Sequence, residues 1–277
     1  MKTNDHQKQE MKAISILVSI PFAQHPCLCD AELLLTGEHP DIAGAYLGAL
    51  HREILMTGTK FSDTKVSSVI FSGGPQQAFN APEFYETIIK IYRNFTMNDK
   101  MVTLVNLDPW GLNPTICSML RNIDHILPNI RMFSCNMDEN KAINRGYPHH
   151  DVDYIAGQLK YGSVKQFGVV LYCGLPSQTQ VSLLRSLDVC LAHQTALITL
   201  KPYGDQWKDF MLAAENILQT KGYRDLGNHR YARDDFEAEG LIEKNAETLL
   251  FGASLEAESA SPRVSLTRTV TKYIADT

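Results

Sequence analysis

Cysteines are the residues of this sequence whose type and spacing first suggest chemistry. The chain has six of them, and only Cys27 and Cys29 lie close together, in the stretch QHPCLCD. Thiolates bind zinc and iron-sulfur clusters, and ordinary reduced loop thiols are the alternative interpretation of the same pair. A zinc site shared with His25 is the weakest hypothesis, because two thiolates one residue apart strain a tetrahedral centre and no second ligand pair is evident.

A glycine turn and two further cysteines lie where predicted strands end. The turn at residues 72–75, SGGP, follows an apolar run, and its glycines let a ligand approach the backbone without a side-chain clash. By itself such a turn more often binds nothing, since Gly-Pro turns are common. Cys135 and Cys173 could meet inside a barrel, although a role as small buried hydrophobic residues is favoured for both.

Length and composition limit the class of protein. A chain of 277 residues with 44% apolar content can bury a large core in one domain. Its net charge of -5 includes no basic block, so nucleic-acid binding has no electrostatic signature. No apolar run has the length of a membrane span and the first residues are polar, which predicts a cytoplasmic protein without membrane contact. Hydrolase and NTPase motifs are lacking, so small-molecule chemistry or a protein partner is expected.

Strands and helices are predicted to alternate along the chain and to position these residues. Apolar β-branched runs predict six strands at residues 13–20, 66–71, 101–107, 130–135, 164–172 and 196–202. Amphipathic segments predict helices at residues 42–56, 82–95, 114–122, 151–161, 178–192 and 209–221. Strict alternation of this kind requires parallel strands with right-handed crossovers.

Six βα units are too few for a closed eight-stranded barrel, so the predicted fold is α/β with a partial (β/α)6 barrel. Residues 1–222 are assigned to this barrel, and residues 223–277 to a short C-terminal extension packed on it. Any active site is expected in the loops at the carboxyl ends of the strands. These loops comprise residues 21–30, 72–77, 106–110, 135–138 and 173–179.

The motifs in these loops follow the order of a known family. IPFAQHPCLCD stands where the family has IPFC-x3-C-x2-C, FSGGP resembles FGGGTP, VTLVNLDP resembles TLEANP, and YCGLPSQT resembles YGLPGQT. RMFSCNMDENKAINRG is similar to RISFGVQSF followed by a short helix and an arginine. Each motif alone is weak evidence, but their order is specific. Over residues 14–273 the chain resembles the oxygen-independent coproporphyrinogen III oxidases and their heme-chaperone relatives in the radical-SAM superfamily.

This resemblance implies a radical-SAM-type barrel with a 4Fe-4S cluster, in which three loop thiolates hold three irons and the fourth iron binds S-adenosylmethionine. Here Ala23 stands at the first ligand position and cannot bind a metal. Cys27 matches the second position. The third is Asp30 if the spacing is kept, or Cys29 if one residue is deleted, which the order Cys29-Asp30 favours. The resemblance therefore implies a degraded or nonstandard site with Cys27 and Cys29 as the metal ligands.

The resemblance also implies residues for binding S-adenosylmethionine. Gly73, Gly74 and Pro75 occupy the turn that contacts the methionine end of this cofactor in the family. Asn136 falls where the family has the glutamine of GVQ, and Arg145 falls on its cofactor-side arginine. Taken as residues alone, Asn136 and Arg145 are equally compatible with solvated surface positions.

Departures from the family pattern concentrate on the ligand side of the predicted barrel. The acidic residue before YGLP is Val170 here, and the glutamate of TLEANP is assigned to Val105, with Asp108 nearby. The tyrosine and histidine of the first strand are Leu17 and Ser19. Loss of carboxylates to valine removes hydrogen bonds to a ligand, whereas the patterning of helices and strands is retained.

These observations leave two functions open. The first is a divergent radical-SAM coproporphyrinogen oxidase-like protein that binds S-adenosylmethionine and a tetrapyrrole or other small ligand. The second is a non-catalytic scaffold, or pseudoenzyme, that pairs with an intact radical-SAM relative.

Overall fold

The structure, a computed structural model, describes residues 13–23, 27–28, 34–35, 40–145, 152–242, 247–253 and 269–277. Cys29 lies outside these ranges, as do His25 and Asp30, the other residues of this loop suggested as metal ligands. Within the described part of the chain, no helix is both long and apolar enough to span a bilayer.

Strands and helices alternate through most of the described chain. The strands are β1 (Ala13–Ile20), β2 (Phe22–Ala23), β3 (Leu34–Leu35), β4 (Lys65–Gly73), β5 (Thr96–Leu107), β6 (Ile126–Phe133), β7 (Gly168–Cys173), β8 (Leu197–Pro202), β9 (Tyr223–Asp225), β10 (Arg230–Arg233) and β11 (Glu247–Phe251). The helices are α1 (Pro40–Gly58), α2 (Pro75–Ala78), α3 (Ala81–Asn94), α4 (Pro114–Arg121), α5 (Met137–Ala142), α6 (Val152–Tyr161), α7 (Gln180–Ala192), α8 (Trp207–Thr220) and α9 (Val270–Asp276).

Nine of the strands form one sheet in the order β11-β1-β4-β5-β6-β7-β8-β10-β9. The six consecutive strands from β1 to β8 in this order pair in parallel. On one edge β11 adds a further parallel strand beside β1, and on the other edge β10 and β9 pair antiparallel. The predicted α/β fold with six parallel strands is confirmed, and strands from the last fifth of the chain extend the same sheet at both edges.

Most predicted elements lie within a few residues of the observed ones, and the exceptions have local causes. β1 has the predicted bounds. β6 was predicted at residues 130–135, but the strand begins at Ile126 and ends at Phe133, whose φ of 66° breaks the extended backbone. Thr179 caps α7 through a hydrogen bond from the Ser182 amide, so this helix begins later than predicted.

The two faces of the sheet have different chemistry. Alternate residues of β1 point to opposite faces, and Ile14, Ile16 and Val18 join the main core against the helices. The other face forms the interior of the barrel. An apolar floor crosses this face. It is formed by residues in register on four neighbouring strands, namely Leu17, Ile70, Leu104 and Leu127.

One layer above this floor, toward the carboxyl ends of the strands, the interior becomes polar. Ser19 pairs with Ser72, and Asn106 pairs with Asn129. Asn129 Nδ2 donates a hydrogen bond of 2.8 Å to Asn106 Oδ1. The interior of the barrel is therefore lined by apolar side chains at the floor and by polar side chains toward the carboxyl ends of the strands.

Hydrogen bonds fasten the late strand β11 and the helix α9 to the start of the barrel. The Tyr46 hydroxyl donates to the Ser19 carbonyl oxygen at 2.6 Å and accepts from the Ala253 amide at 2.9 Å. Glu53 accepts from the Tyr273 hydroxyl at 2.8 Å and from the Gly252 amide at 2.9 Å. These bonds fix the edge strand against α1, which positions the first of the functional loops.

Candidate ligand-binding site at the barrel mouth

A buried carboxylate joins two arginines at the mouth of the barrel. Asp108 follows β5 and is 2% exposed. Its Oδ1 forms ion pairs with Arg145 Nη2 and with Arg131 Nε, the latter at 3.3 Å. Arg145 Nη2 also donates to the Arg131 carbonyl oxygen at 2.6 Å. Three segments that are distant in sequence are thereby brought together around one negative charge.

Aromatic rings enclose the Arg145 guanidinium. Its central carbon lies 3.8 Å from the centroid of the Phe133 ring and 4.6 Å from that of Trp110. Such cation–π contacts contribute ~2 kcal/mol when they are removed from water. Arg145 is thus buried rather than solvated, and its ion pair and stacking hold it in one orientation.

The turn at Gly73 reaches the same group of residues through its backbone. Gly73 has a φ of 81°, and a Cβ at this position would meet the Ile20 carbonyl oxygen at 1.9 Å. The Gly74 amide donates to that oxygen at 3.0 Å, and Pro75 begins α2. The Gly73 carbonyl oxygen accepts a hydrogen bond of 3.2 Å from Arg131 Nη1. The predicted positions Gly73 and Arg145 are therefore linked through Arg131 and Asp108.

Asn136 has a local structural task and is exposed. Its Oδ1 accepts from the Asp138 amide at 2.9 Å, which caps α5, and its Nδ2 lies 3.3 Å from Glu139 Oε1. The buried Glu139 carboxylate also accepts from the Ser134 hydroxyl at 2.6 Å. These contacts keep the Asn136 amide at the start of α5, and the structure does not join it to the ion pairs of Arg145.

Cys27 lies inside the mouth among apolar and aromatic side chains. It is 6% exposed and belongs to a small cluster with Phe133, Ile143, Val170, Tyr172 and Leu175. The Leu28 amide donates to the Ile143 carbonyl oxygen at 3.1 Å, which ties this loop to the end of α5. Cys27 therefore packs in the same cluster as Phe133, whose ring contacts the Arg145 guanidinium.

The remaining cysteines lie on the opposite side of the sheet. Cys117, Cys173 and Cys190 belong to the helix-facing core, and Cys135 packs against it. Burial raises the pKa of the Cys173 thiol to about 12, with the nearby Glu215 carboxylate contributing. The favoured role of Cys173 as a buried apolar residue is confirmed, and the suggestion that it meets Cys135 inside the mouth is wrong because both thiols face the helices.

A family-type cluster does not fit these residues. Three thiolates are needed in the loop, but residues 21–30 contain two cysteines, and the buried Ala23 methyl has no donor atom. The four other cysteines face away from the mouth. In the described ranges no three residues among His, Cys, Asp and Glu converge as a metal site. We therefore derive no chemistry from a cluster in this chain.

The four positions that depart from the family pattern lie on both faces of the sheet. Leu17, Ser19 and Val170 point into the interior, whereas Val105 belongs to the helix-facing core. The residue of β5 that faces the interior at this level is Asn106.

Three interior oxygens find no hydrogen-bond partner in the described part of the chain. They are Ser19 Oγ, Asn129 Oδ1 and Thr199 Oγ1, and their side chains are 1%, 1% and 7% exposed. A buried polar group without a partner costs ~1–3 kcal/mol, and such groups are usually satisfied by a ligand or by water. The two hydroxyls can donate or accept a hydrogen bond, and Asn129 Oδ1 can accept one, from a ligand or from water inside the barrel.

Cations outnumber acidic groups around this layer. Lys201 follows Thr199 by two residues on β8 and shares its face, and Arg230 pairs directly with Thr199 from β10. Together with Arg131 and Arg145 they place four cationic side chains at these strand ends, near the buried carboxylates of Asp108 and Glu139. Cationic side chains at the described strand ends favour a ligand with carboxylates.

Arg131 is a site residue that the sequence analysis missed. It lies within the otherwise apolar run IRMF of β6 and is 7% exposed. A charged residue in a buried strand needs a partner, because burial of an unpaired charge is costly. The need for a partner could have marked Arg131 as a candidate site residue from the sequence, but the partner, Asp108, is identified only in the folded chain.

Similarity to known proteins agrees with this architecture. No family model matches the chain. It is 22% identical over 261 residues to the oxygen-independent coproporphyrinogen III oxidase of Pseudomonas aeruginosa, covering 84% of this chain and 56% of the relative. It is 23% identical over 249 residues to the enzyme of the same name from Bradyrhizobium diazoefficiens, covering 80% and 54%. The chain thus spans little more than half the length of these relatives.

A solved structure has the same fold. Coproporphyrinogen III oxidase (HemN) from Escherichia coli, a radical SAM enzyme, superimposes with a TM-score of 0.72 at 20% identity, covering 88% of this chain and 64% of that one. The chain is thus similar in sequence to two oxygen-independent coproporphyrinogen III oxidases and similar in fold to a radical SAM enzyme.

Proposed function

We propose that this chain is a cytoplasmic protein of the radical-SAM fold that binds a small carboxylate-bearing ligand in its barrel mouth without a family-type 4Fe-4S cluster. The proposal rests on one observation, the polar and cationic layer that lies above an apolar floor. Buried acceptors without partners and an excess of cations describe a binding site, whereas the loop at residues 21–30 lacks the third thiolate that radical chemistry requires.

The charge of the layer indicates the class of ligand. S-adenosylmethionine carries a carboxylate, an ammonium and a sulfonium group, so a site rich in cations favours only one part of it. A coproporphyrinogen-type tetrapyrrole carries several carboxylates and an apolar macrocycle, which match the cations and the floor. The name of the curated relatives also points to this class of ligand, and we propose it ahead of S-adenosylmethionine.

Aromatic rings pack beside the cations at the mouth. Phe133 and Tyr172 pack with ring centroids 4.3 Å apart, and Tyr203 lies 6.3 Å from Tyr172. These apolar rings and the cations lie at the same end of the barrel, an environment that would suit a ligand with both an apolar body and carboxylates.

Binding measured by fluorescence tests the proposal. Wild-type protein is titrated into coproporphyrin, the stable oxidised form of the tetrapyrrole, and separately against S-adenosylmethionine. Lys201→Gln removes one cation from the polar layer, and the matched control Lys100→Gln removes one that pairs with Glu239 at the start of the sheet, outside the mouth. We expect Lys201→Gln to weaken coproporphyrin binding about tenfold, since a charge-assisted hydrogen bond contributes ~1.5–3 kcal/mol.

The control Lys100→Gln should bind as tightly as the wild type. Equal affinity of the Lys201 and Lys100 variants would contradict a binding site at the mouth. A wild-type protein that binds neither molecule would also contradict the proposal and would favour the scaffold function, in which an intact radical-SAM relative supplies the chemistry.

A further inference from the structure

We propose that Cys135 and Cys190 form a reversible oxidation site, in which a disulfide ties the rim of the barrel to helix α7. This site lies on the helix side of the sheet and is separate from the ligand mouth, so the inference does not depend on the proposed function. Its oxidant is a peroxide or a small-molecule disulfide.

Hydrogen bonds hold Cys135 against one turn of α7. The Cys135 amide donates to the Ser186 hydroxyl at 3.0 Å, and the Cys135 thiol lies 3.7 Å from the Ser186 carbonyl oxygen. In an α-helix that carbonyl points toward the residue four positions later, which is Cys190. The helix geometry therefore places the Cys190 side chain on the face that Cys135 contacts.

The two thiols differ in their access to solvent. Cys135 is half-buried at the rim, whereas Cys190 is fully buried in the core. A hydrogen bond with the Cys135 thiol, together with burial, raises the pKa of Cys190 well above its usual range. A solvent-accessible thiol beside a protected one is the arrangement of an attacking and a resolving cysteine.

The chemistry balances in two steps. The Cys135 thiolate attacks hydrogen peroxide, so an S–O bond forms, the O–O bond breaks, and a sulfenic acid and hydroxide result. The Cys190 sulfur then attacks the Cys135 sulfur, an S–S bond forms, and the S–O bond breaks with release of water, the Cys190 proton leaving with it. Two electrons pass from the two thiols to the peroxide, and a dithiol reductant reverses the reaction.

A disulfide at this point has a structural consequence for the rim. Cys135 lies between Ser134, whose hydroxyl bonds to Glu139, and Asn136, which caps α5. In the reduced protein, hydrogen bonds and apolar packing hold this segment to α7. A covalent link removes its freedom to move away from α7.

Peptide mapping of the full chain tests the inference. The reduced protein is treated with a modest excess of hydrogen peroxide, alkylated under denaturing conditions, digested, and analysed with and without reductant. We expect a cross-linked peptide pair that contains Cys135 and Cys190 and that disappears after reduction. Cys117 and Cys173 should remain alkylated, since they serve as internal controls that are buried in the same core.

Two variants keep the result interpretable. In Cys190→Ala the resolving thiol is lost, and we expect Cys135 to accumulate as sulfenic acid, detected with a dimedone-type probe. In Cys135→Ala, which changes a half-buried position, no cross-link and no labelling at Cys190 should occur. Full alkylation of both thiols after oxidation of the folded wild type, or a cross-link from Cys135 to a different cysteine, would overturn the inference.

Discussion

The helix-facing and interior faces of the sheet obey different constraints. Outward residues such as Ile16, Val69 and Phe71 are fully buried and apolar, as a sheet covered by helices requires. Inward residues change from the apolar floor at Leu17 to the polar layer at Ser19 within one step of the same strand. The helix-facing side is uniformly apolar, whereas the mouth brings the charged side chains of Asp108, Arg131 and Arg145 together. The comparison indicates that burial between sheet and helices limits the outward face to apolar packing, whereas the inward face can hold paired charges and polar groups.

Removal of an outward aromatic side chain should cause the largest loss of stability. The Phe71 ring lies 5.1 Å from the Phe84 ring in an edge-to-face contact and is fully buried. We expect Phe71→Ala to lower the free energy of unfolding by ~3–5 kcal/mol, because a cavity adds to the lost burial. The neighbouring inward residue provides the control, since Ser72→Ala should change stability by less than ~0.5 kcal/mol in the same urea titration. Equal losses of unfolding free energy in Phe71→Ala and Ser72→Ala would contradict the contrast between the two faces.

Removal of the buried carboxylate should cause the next largest effect. Asp108→Asn keeps the shape of the side chain but leaves the cations of Arg131 and Arg145 buried without their shared counter-ion. We expect a loss of about 3 kcal/mol in the free energy of unfolding. The control Asp138→Asn affects an exposed pair with Lys141 and should cost less than ~0.5 kcal/mol. A stable Asp108→Asn variant would show that the arginines do not depend on this carboxylate.

The pH dependence of stability tests whether the Cys173 thiol is shielded from water on the helix-facing side of the sheet. The folded Cys173 thiol has a pKa of about 12, above its ordinary value of 9.0. Between these values the unfolded chain releases a proton that the folded chain keeps, so stability falls as the pH rises. We expect Cys173→Ala to reduce this fall by about 1.4 kcal/mol per pH unit above pH 9. An unchanged slope in urea titrations at pH 9 to 10 would place the thiol in contact with water.

Substitution of two serines of β1 should distinguish a hydrogen bond that stabilises the fold from a hydroxyl that contacts a ligand. Ser15 Oγ accepts from Ser68 Oγ at 2.9 Å, whereas Ser19 Oγ finds no partner in the described chain. We expect Ser15→Ala to cost about 1 kcal/mol of stability and Ser19→Ala to be neutral or slightly stabilising. Coproporphyrin binding should show the reverse order, with the larger loss in Ser19→Ala. If Ser19→Ala is the more destabilising variant, its hydroxyl serves the fold rather than the ligand.

The sequence predicted the parallel scaffold because its signals are local. Each of the six parallel strands contains an apolar run of its own, and amphipathic segments between these runs mark the helices. The late strand β11 was not among the six strands predicted from apolar runs. Its place beside β1 depends on contacts such as Gly252 with Glu53, which are 199 residues apart, and no local pattern encodes such a pairing.

The candidate site was less predictable, since its residues meet only in the fold. Arg145 is polar and lies after a short helix, so its sequence context is also that of a surface residue. Its burial follows from Asp108, which is 37 residues away, and from the ring of Phe133 at the unusual φ of 66°. The alternation of β5 likewise decides that Asn106, not Val105, faces the ligand side. A single-residue shift of register reverses such an assignment.

Iron retention after anaerobic reconstitution tests the central claim most directly. Purified protein is incubated with ferrous iron, sulfide and a thiol reductant, passed through a desalting column, and examined for bound iron and visible absorbance. A mouth that has lost its third thiolate should yield a colourless protein with no stoichiometric iron. Retention of about four irons per chain, with visible absorbance that vanishes in Cys27→Ala, would contradict the account and restore radical chemistry to this barrel.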